Sequence, residues 1–305
     1  MKPKVFALIL PLVLCIMVYT SGGQITLTDS MYHAFDGKGN PVTLDDIVAA
    51  MAANDSVFLG EQHDDAVCHA IEAELLRRAV EKYSAQRRVA LSMEMFERDI
   101  QIVVDEYLKG LITEQHFMSS SRPWGNYKTD YRPLVEVAKA KHLDVIAANA
   151  PRRYVNMVSR NGRDALNALS AEAKSWLAPL PYPEPSAAYA EKFNALMKGG
   201  GDPSAMSASQ NLVYSQSLWD ATMANSIANY LAKNKGALVI QLNGSFHTES
   251  RLGTFEQFQK YRPKARGIVV TIRYEDDFQK FDPAKHKGIG DFVILTDAKQ
   301  PRSQR

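Results

Sequence analysis

Six short apolar runs constrain this chain most: Val57–Leu59, Val89–Met93, Leu143–Ala148, Ala237–Leu242, Gly267–Ile272 and Phe292–Leu295. Each has the length of a strand and is nearly unbroken by polar residues. That pattern suits strands covered on both faces. Segments of helical spacing lie between most of them. Ala66, Ile71, Leu75, Leu76 and Ala79 share a face after the first run. Leu212, Trp219, Met223, Ile227, Tyr230 and Leu231 form a long stripe before the fourth. The alternation predicts an α/β domain whose mostly parallel or mixed sheet is flanked by helices. One region, about 165–209, departs from the rhythm with "APLPYPEPS" and "MKGGGDPSAMS". Its helical pieces, Ala171–Leu177 and Ala187–Met197, are too small to fold alone, so a small helical insertion packed on the core is expected.

The start of the chain reads as a leader. Lys2 and Lys4 precede an apolar run from Val5 to Tyr19, and then come Thr20, Ser21, Gly22 and Gly23. A basic start, a short apolar core and small residues make a secretory signal. The run is short against the ~20 residues of a membrane span. Removal of 1–23 would export a single domain, 24–305, to the periplasm or to a membrane surface. Cys15 raises a lipoprotein alternative, but Leu14 before it is a poor context for lipidation. Cys68 is then the remaining cysteine, which excludes an intramolecular disulfide. It falls in a helical pattern, as a small buried residue would. A formal net charge of +2 gives no bulk electrostatic handle on nucleic acid.

The first apolar run ends in "LGEQH" and the fourth in "LNGSFH". Both are G-x-x-H after an expected strand. In open α/β sheets ligands bind beyond the carboxyl ends of the strands, so His63 and His247 should meet at one rim. Glu94 in "MEMF" and Asn149, Arg152 and Arg153 in "ANAPRR" follow two further strand ends; Asn243 precedes the second glycine. Glu61, Glu94, His63 and His247 would suit a divalent metal such as Zn, Mn or Fe. They equally suit a base and its orienting partner. The paired arginines would hold a carboxylate or phosphate. His69 lies six residues beyond His63, about 600° around a helix, and is placed away from this set. His33, His116, His142 and His286 are expected at the surface.

Aromatic residues gather near these positions: Trp124, Tyr127, Tyr131, Tyr154, Tyr182, Tyr214 and Trp219. Most would pack in the core, but a flat aromatic ligand would also use them beside paired cations. There is no C-x-x-C-H for covalent haem. Noncovalent haem would take a tyrosine or histidine on iron, with Arg152, Arg153, Asn149 and Tyr154 as rim contacts.

Taken together, "LGEQHDDAVCH", "MEMF", "WGNYKTDYRPLVEVAK", "VIAANAPRR", "WDATMANSI" and "NGSFHTESRLGT" resemble the ChaN-like haem-binding uptake family. The family shares a superfamily with the Tiki and TraB proteins and the erythromycin esterases, and the resemblance runs from about Val42 to Val270. It implies an exported haem-binding protein, often a lipoprotein, that serves iron acquisition. It implies as partners haem and an outer-membrane haem receptor or membrane anchor; a flat hydrophobic cofactor exposed at one rim would favour a second copy around it. More distant relatives hydrolyse substrates with paired G-x-x-H motifs and a glutamate, using metal in the Tiki branch. Glu61, His63, Glu94 and His247 match that pattern, which keeps a metal-dependent hydrolase as the alternative. No motif fixes a haem-ligating tyrosine.

Overall fold

The computed structural model describes residues 25–199 and 210–303. The expected leader 1–23 with Cys15, and the stretch 200–209 of the insertion, lie outside the described residues. The strands are β1 (Tyr32–Asp36), β2 (Pro41–Val42), β3 (Ser56–Glu61), β4 (Val89–Glu97), β5 (Asp144–Asn149), β6 (Leu238–Gly244), β7 (Gly267–Glu275) and β8 (Phe292–Asp297). They form one sheet in the order β2-β1-β8-β7-β3-β6-β4-β5. The six apolar runs supply β3 to β8, and every pairing among them is parallel. The hairpin β1–β2 adds an antiparallel edge to β8. Its strands are short and only partly buried, so they carry no apolar run. The turn between them is the visible signal: Asp36 accepts hydrogen bonds from the amides of Lys38 and Asn40, and Gly39 takes φ +92°.

Side-chain alternation builds three layers. Val57 and Leu59 of β3, with Leu238, Ile240 and Leu242 of β6, face one side. There they meet α1 (Leu44–Ala50), α2 (Ala66–Tyr83) and α5 (Arg132–Ala140). Phe58 and Val239 point the other way, onto α9 (Gln210–Lys233) and α10 (Thr254–Tyr261). Cys68 lies fully buried in the first layer. α3 (Gln101–Leu108) and α4 (Glu114–Ser121) close the sheet near β5, with Val104 and Tyr107 inward and Ile102 exposed.

α6 (Arg152–Asn161), α7 (Ala171–Ser175) and α8 (Ala187–Gly199) pack outside α9. Leu166, Leu177, Ala178 and Tyr182 of the insertion share one cluster with Leu218 and Ala221 of α9. The largely buried Arg98 ties this layer to the core. It donates to the carbonyls of Leu177 (2.7 Å) and Thr222 (2.9 Å), to Asn225 (2.9 Å) and to Ser226 (2.8 Å). Burial pulls its pKa down to about 10, so neutral oxygens rather than a carboxylate carry its charge. Arg98→Ala removes four hydrogen bonds made by a buried charge and should cost about 2–3 kcal/mol. Denaturant midpoints measure the loss, with faster proteolysis of 163–186 as a second readout; unchanged values in both would contradict this role.

Candidate functional site

The two G-x-x-H turns meet because β3 and β6 are parallel neighbours in register, Gly60 opposite Asn243 and Glu61 opposite Gly244. Each glycine makes room for the other turn. A Cβ on Gly244 would stand 2.7 Å from His63 Nε2, and one on Gly60 would stand 2.9 Å from Thr248 Oγ1. Both distances are inside contact, so a side chain at either position would displace the His63 ring or the Thr248 hydroxyl.

Glu61 is the last residue of β3 and is buried. His63 Nδ1 donates to its Oε1 at 2.5 Å and the Tyr131 hydroxyl donates to the same oxygen at 2.6 Å. The tautomer that donates from Nδ1 leaves a lone pair on His63 Nε2, which has no hydrogen-bond partner among the described residues. The His63 side chain is one quarter exposed. Tyr131 reaches Glu61 from a single π-helical turn, Tyr127–Tyr131, whose Asn126 also donates to the His63 carbonyl at 2.9 Å.

His69 belongs to this group, contrary to the helical-wheel expectation. His63 lies on the turn before α2, which starts at Ala66 behind the Asp65 cap, so no common helix relates the two histidines. His69 Nδ1 stands 3.0 Å from Glu72 Oε2 and 3.4 Å from Glu61 Oε2, and Nε2 donates to the His63 carbonyl at 3.2 Å. Burial opposes its charge, but Glu61, Glu72 and Asp130 outweigh that and raise its pKa to about 10. Of the two neighbouring carboxyls, one keeps the charge and the other the proton. Burial works against the Glu61 carboxylate, yet His69, His63 and Tyr131 lower its pKa to about 2. Burial and the charge of Glu61 push Glu72 well up.

The second turn carries a separate buried couple. His247 Nδ1 stands 2.9 Å from Asp220 Oδ1, and Nε2 stands 3.7 Å from Glu94 Oε1. Asp220 also accepts from Thr254 (2.7 Å) and from Tyr189 of α8 (2.5 Å). Against the cost of burial, Asp220 and Glu94 raise the His247 pKa to about 9. Glu94 lies within β4, just past its last register pair with β6 at Met93, and its Oε2 accepts the Gly244 amide at 2.7 Å.

The remaining expected residues divide by role. Asn149 ends β5 and donates to the Glu94 carbonyl at 3.0 Å, so it shapes the strand end. Asn243 does the same on β6, donating to the Gly244 carbonyl. Arg153 pairs with Asp99 at 2.6 Å and lies over Tyr154 and Trp176. Arg152 is exposed, its guanidinium 6.0 Å from the Trp219 ring, which stands 6.4 Å from His247. Trp124 abuts His63 at 4.7 Å and Phe246 abuts His247 at 5.4 Å, all three aromatics half-buried. Among the described residues, the three donors of metal-ligand type that converge within 4.8 Å are those of Glu61, His69 and Glu72. His286 is buried rather than on the surface, its Nδ1 accepting the Asp282 amide at 3.0 Å.

A family model described as haem-binding uptake, Tiki superfamily, ChaN matches residues 47–258. No curated protein sequence matches significantly. The structure of cofacial haem binding to ChaN of Campylobacter jejuni aligns with TM-score 0.68 at 18% identity, covering 88% of this chain and 98% of that one. A Bacillus cereus protein aligns at 0.48 with 11% identity, covering 87% and 95%. The erythromycin esterase EreC aligns at 0.45 with 10% identity, covering 87% and 83%.

The His247 couple has a pH signature. A histidine whose folded pKa is raised stabilises fully below its unfolded pKa, about 6.5, and loses that contribution as pH rises through about 9. The share is at most about 3 kcal/mol. Asp220→Asn keeps the shape and removes the charge. It should flatten the fall in stability between about pH 6 and 9.5, and equal slopes for the two chains in chemical denaturation would refute the assignment.

Proposed function

Since the chain belongs to the haem-binding uptake family of the Tiki superfamily (ChaN), we propose that it binds haem at the rim where the two G-x-x-H turns meet. The observation that carries the reading is His63. Its Nδ1–H is committed to Glu61, its Nε2 keeps a lone pair, and Trp124 stands against its ring. A carboxylate-oriented imidazole of this kind is a strong ligand for iron. The rim suits the rest of the group. Trp124, Trp219 and Phe246 offer half-buried aromatic surface, and Arg152 offers an exposed guanidinium for a propionate. Arg153 is already engaged by Asp99. Tyr131 and Tyr189 are buried donors to carboxylates, and burial with Glu61 or Asp220 pushes their phenols up, which favours His63 over either as the iron ligand.

We place the protein in iron acquisition after export, on the family, the basic apolar leader and the rim. Haem would pass between this rim and an outer-membrane receptor or a membrane-anchored partner. The cofacial haem of the Campylobacter jejuni ChaN structure extends the proposal to a second copy of the chain around the ligand.

The Glu61–His63 pair also has the form of a base with its orienting carboxylate, and His247 beside Glu94 that of a buried acid. That pairing favours a hydrolase in which His63 takes the proton from water; the metal-dependent alternative would instead hold the ion on His63 and His247, with Glu61 or Glu94 as the base.

Haem titration of the mature chain tests the first reading. A saturable Soret shift is expected. His63→Ala should weaken binding at least tenfold, about 1.4 kcal/mol, and Arg152→Ala should do so less. Absence of a Soret shift, with turnover of ester or peptide probes that is lost in His63→Ala, would favour the hydrolase.

A further inference from the structure

Behind the rim, His69 and Glu72 close a second constellation on the inner oxygen of Glu61. We propose that Glu61 Oε2, His69 Nδ1 and a carboxylate oxygen of Glu72 form an interior site for a divalent first-row cation, Zn2+ or Mn2+. One imidazole and two carboxylates suit either ion. The spacing fits. Ligands at about 2.0–2.2 Å around a tetrahedral ion stand about 3.3–3.6 Å from one another. Here Nδ1 lies 3.4 Å from Glu61 Oε2 and 3.0 Å from Glu72 Oε2, and all three donors fall within 4.8 Å.

Two further observations point to an ion. Glu61 Oε2 and Glu72 Oε1 are buried with no hydrogen-bond partner among the described residues, and buried carboxylate oxygens without one are costly. The surrounding contacts are also those that hold metal ligands in place. His69 gives its Nε2–H to the His63 carbonyl at 3.2 Å, with Asp130 3.7 Å from that Nε2, which leaves Nδ1 to coordinate. His63 and Tyr131 hold Glu61 by Oε1, which turns Oε2 inward. Two carboxylates and a dication sum to zero with a neutral imidazole. A cavity of about 430 Å³ reaches His69, Asn126 and Asp130 from the surface.

The site shares only Glu61 with the haem rim, so the test avoids that residue. Haem-free full-length chain is stripped with a chelator and dialysed against Zn2+ or, separately, Mn2+, and bound metal is counted by mass spectrometry. One ion per chain is expected with one of the two, raising Tm by several degrees and reversed by EDTA. Glu72→Gln should weaken uptake at least about tenfold and leave the haem titration unchanged, which separates this proposal from the haem reading. Far less than one ion per chain with both metals, or equal uptake by the variant and the wild type, would overturn it. If Glu72→Gln does not fold, Co2+ in the wild-type chain reads the site directly. Intense d–d absorption from a low-coordinate ion supports the proposal, and a weak six-coordinate spectrum sinks it.

Discussion

Two glycines face each other's turns at the ends of adjacent parallel strands, and the rim exists because neither carries a side chain. Parallel pairing of β3 with β6 sets Glu61 beside Gly244. The missing Cβ of Gly244 admits the His63 ring, and that of Gly60 admits Thr248. A methyl group on Gly244 would displace the His63 ring, and one on Gly60 the Thr248 hydroxyl. The order of the sheet then does the rest. β6 returns to insert between β3 and β4, which brings Glu94 onto the Gly244 amide. Strands far apart in sequence thus deliver their ends to one edge, as open α/β sheets do at the point where strand order reverses.

Charge is organised in two compartments about that edge. On the β3 side, Glu61 is the anion that His63, His69 and Tyr131 surround. On the β6 side, Asp220 and Glu94 hold a histidinium. Buried ion pairs of this kind add little net stability over apolar packing, and removing one partner is what costs. Their retention in an otherwise apolar three-layer domain therefore reflects the geometry they enforce: a fixed tautomer at His63 and a protonated ring at His247. The half-buried Trp124, Trp219 and Phe246 stand on the solvent side of both couples.

Much of this was legible in the sequence, because burial on both faces forces continuous apolar runs. All six runs are strands, and the glycine–histidine echo marked the neighbours that meet. Expectation failed where a turn rather than a repeat sets position. His69 was excluded by a helical angle that does not apply, since α2 begins after His63. Tyr131 arrives on a π-turn that no simple period reveals. The hairpin β1–β2 has too little buried surface to show an apolar pattern. Asp220 and Glu72 left a usable signal: each is an acid on the buried face of a long helix, fully buried beside apolar neighbours. Such a residue needs a polar partner inside the protein, and both have a histidine. Arg153 shows the reverse case, an inviting cation next to a strand end that an ion pair with Asp99 already occupies.

α8 covers the second turn with more than apolar weight. Tyr189 and Phe193 pack beside Phe246, but Tyr189 also donates to Asp220, and Lys192 donates to the Phe246 carbonyl at 2.8 Å. Lifting this helix would uncover the apolar cluster of Tyr189, Phe193 and Val213. It would also strip one donor from the acid that holds His247 and one from the loop that bears it. The cover over this histidine is thus tied to the residues that position the ring, and not to apolar neighbours alone.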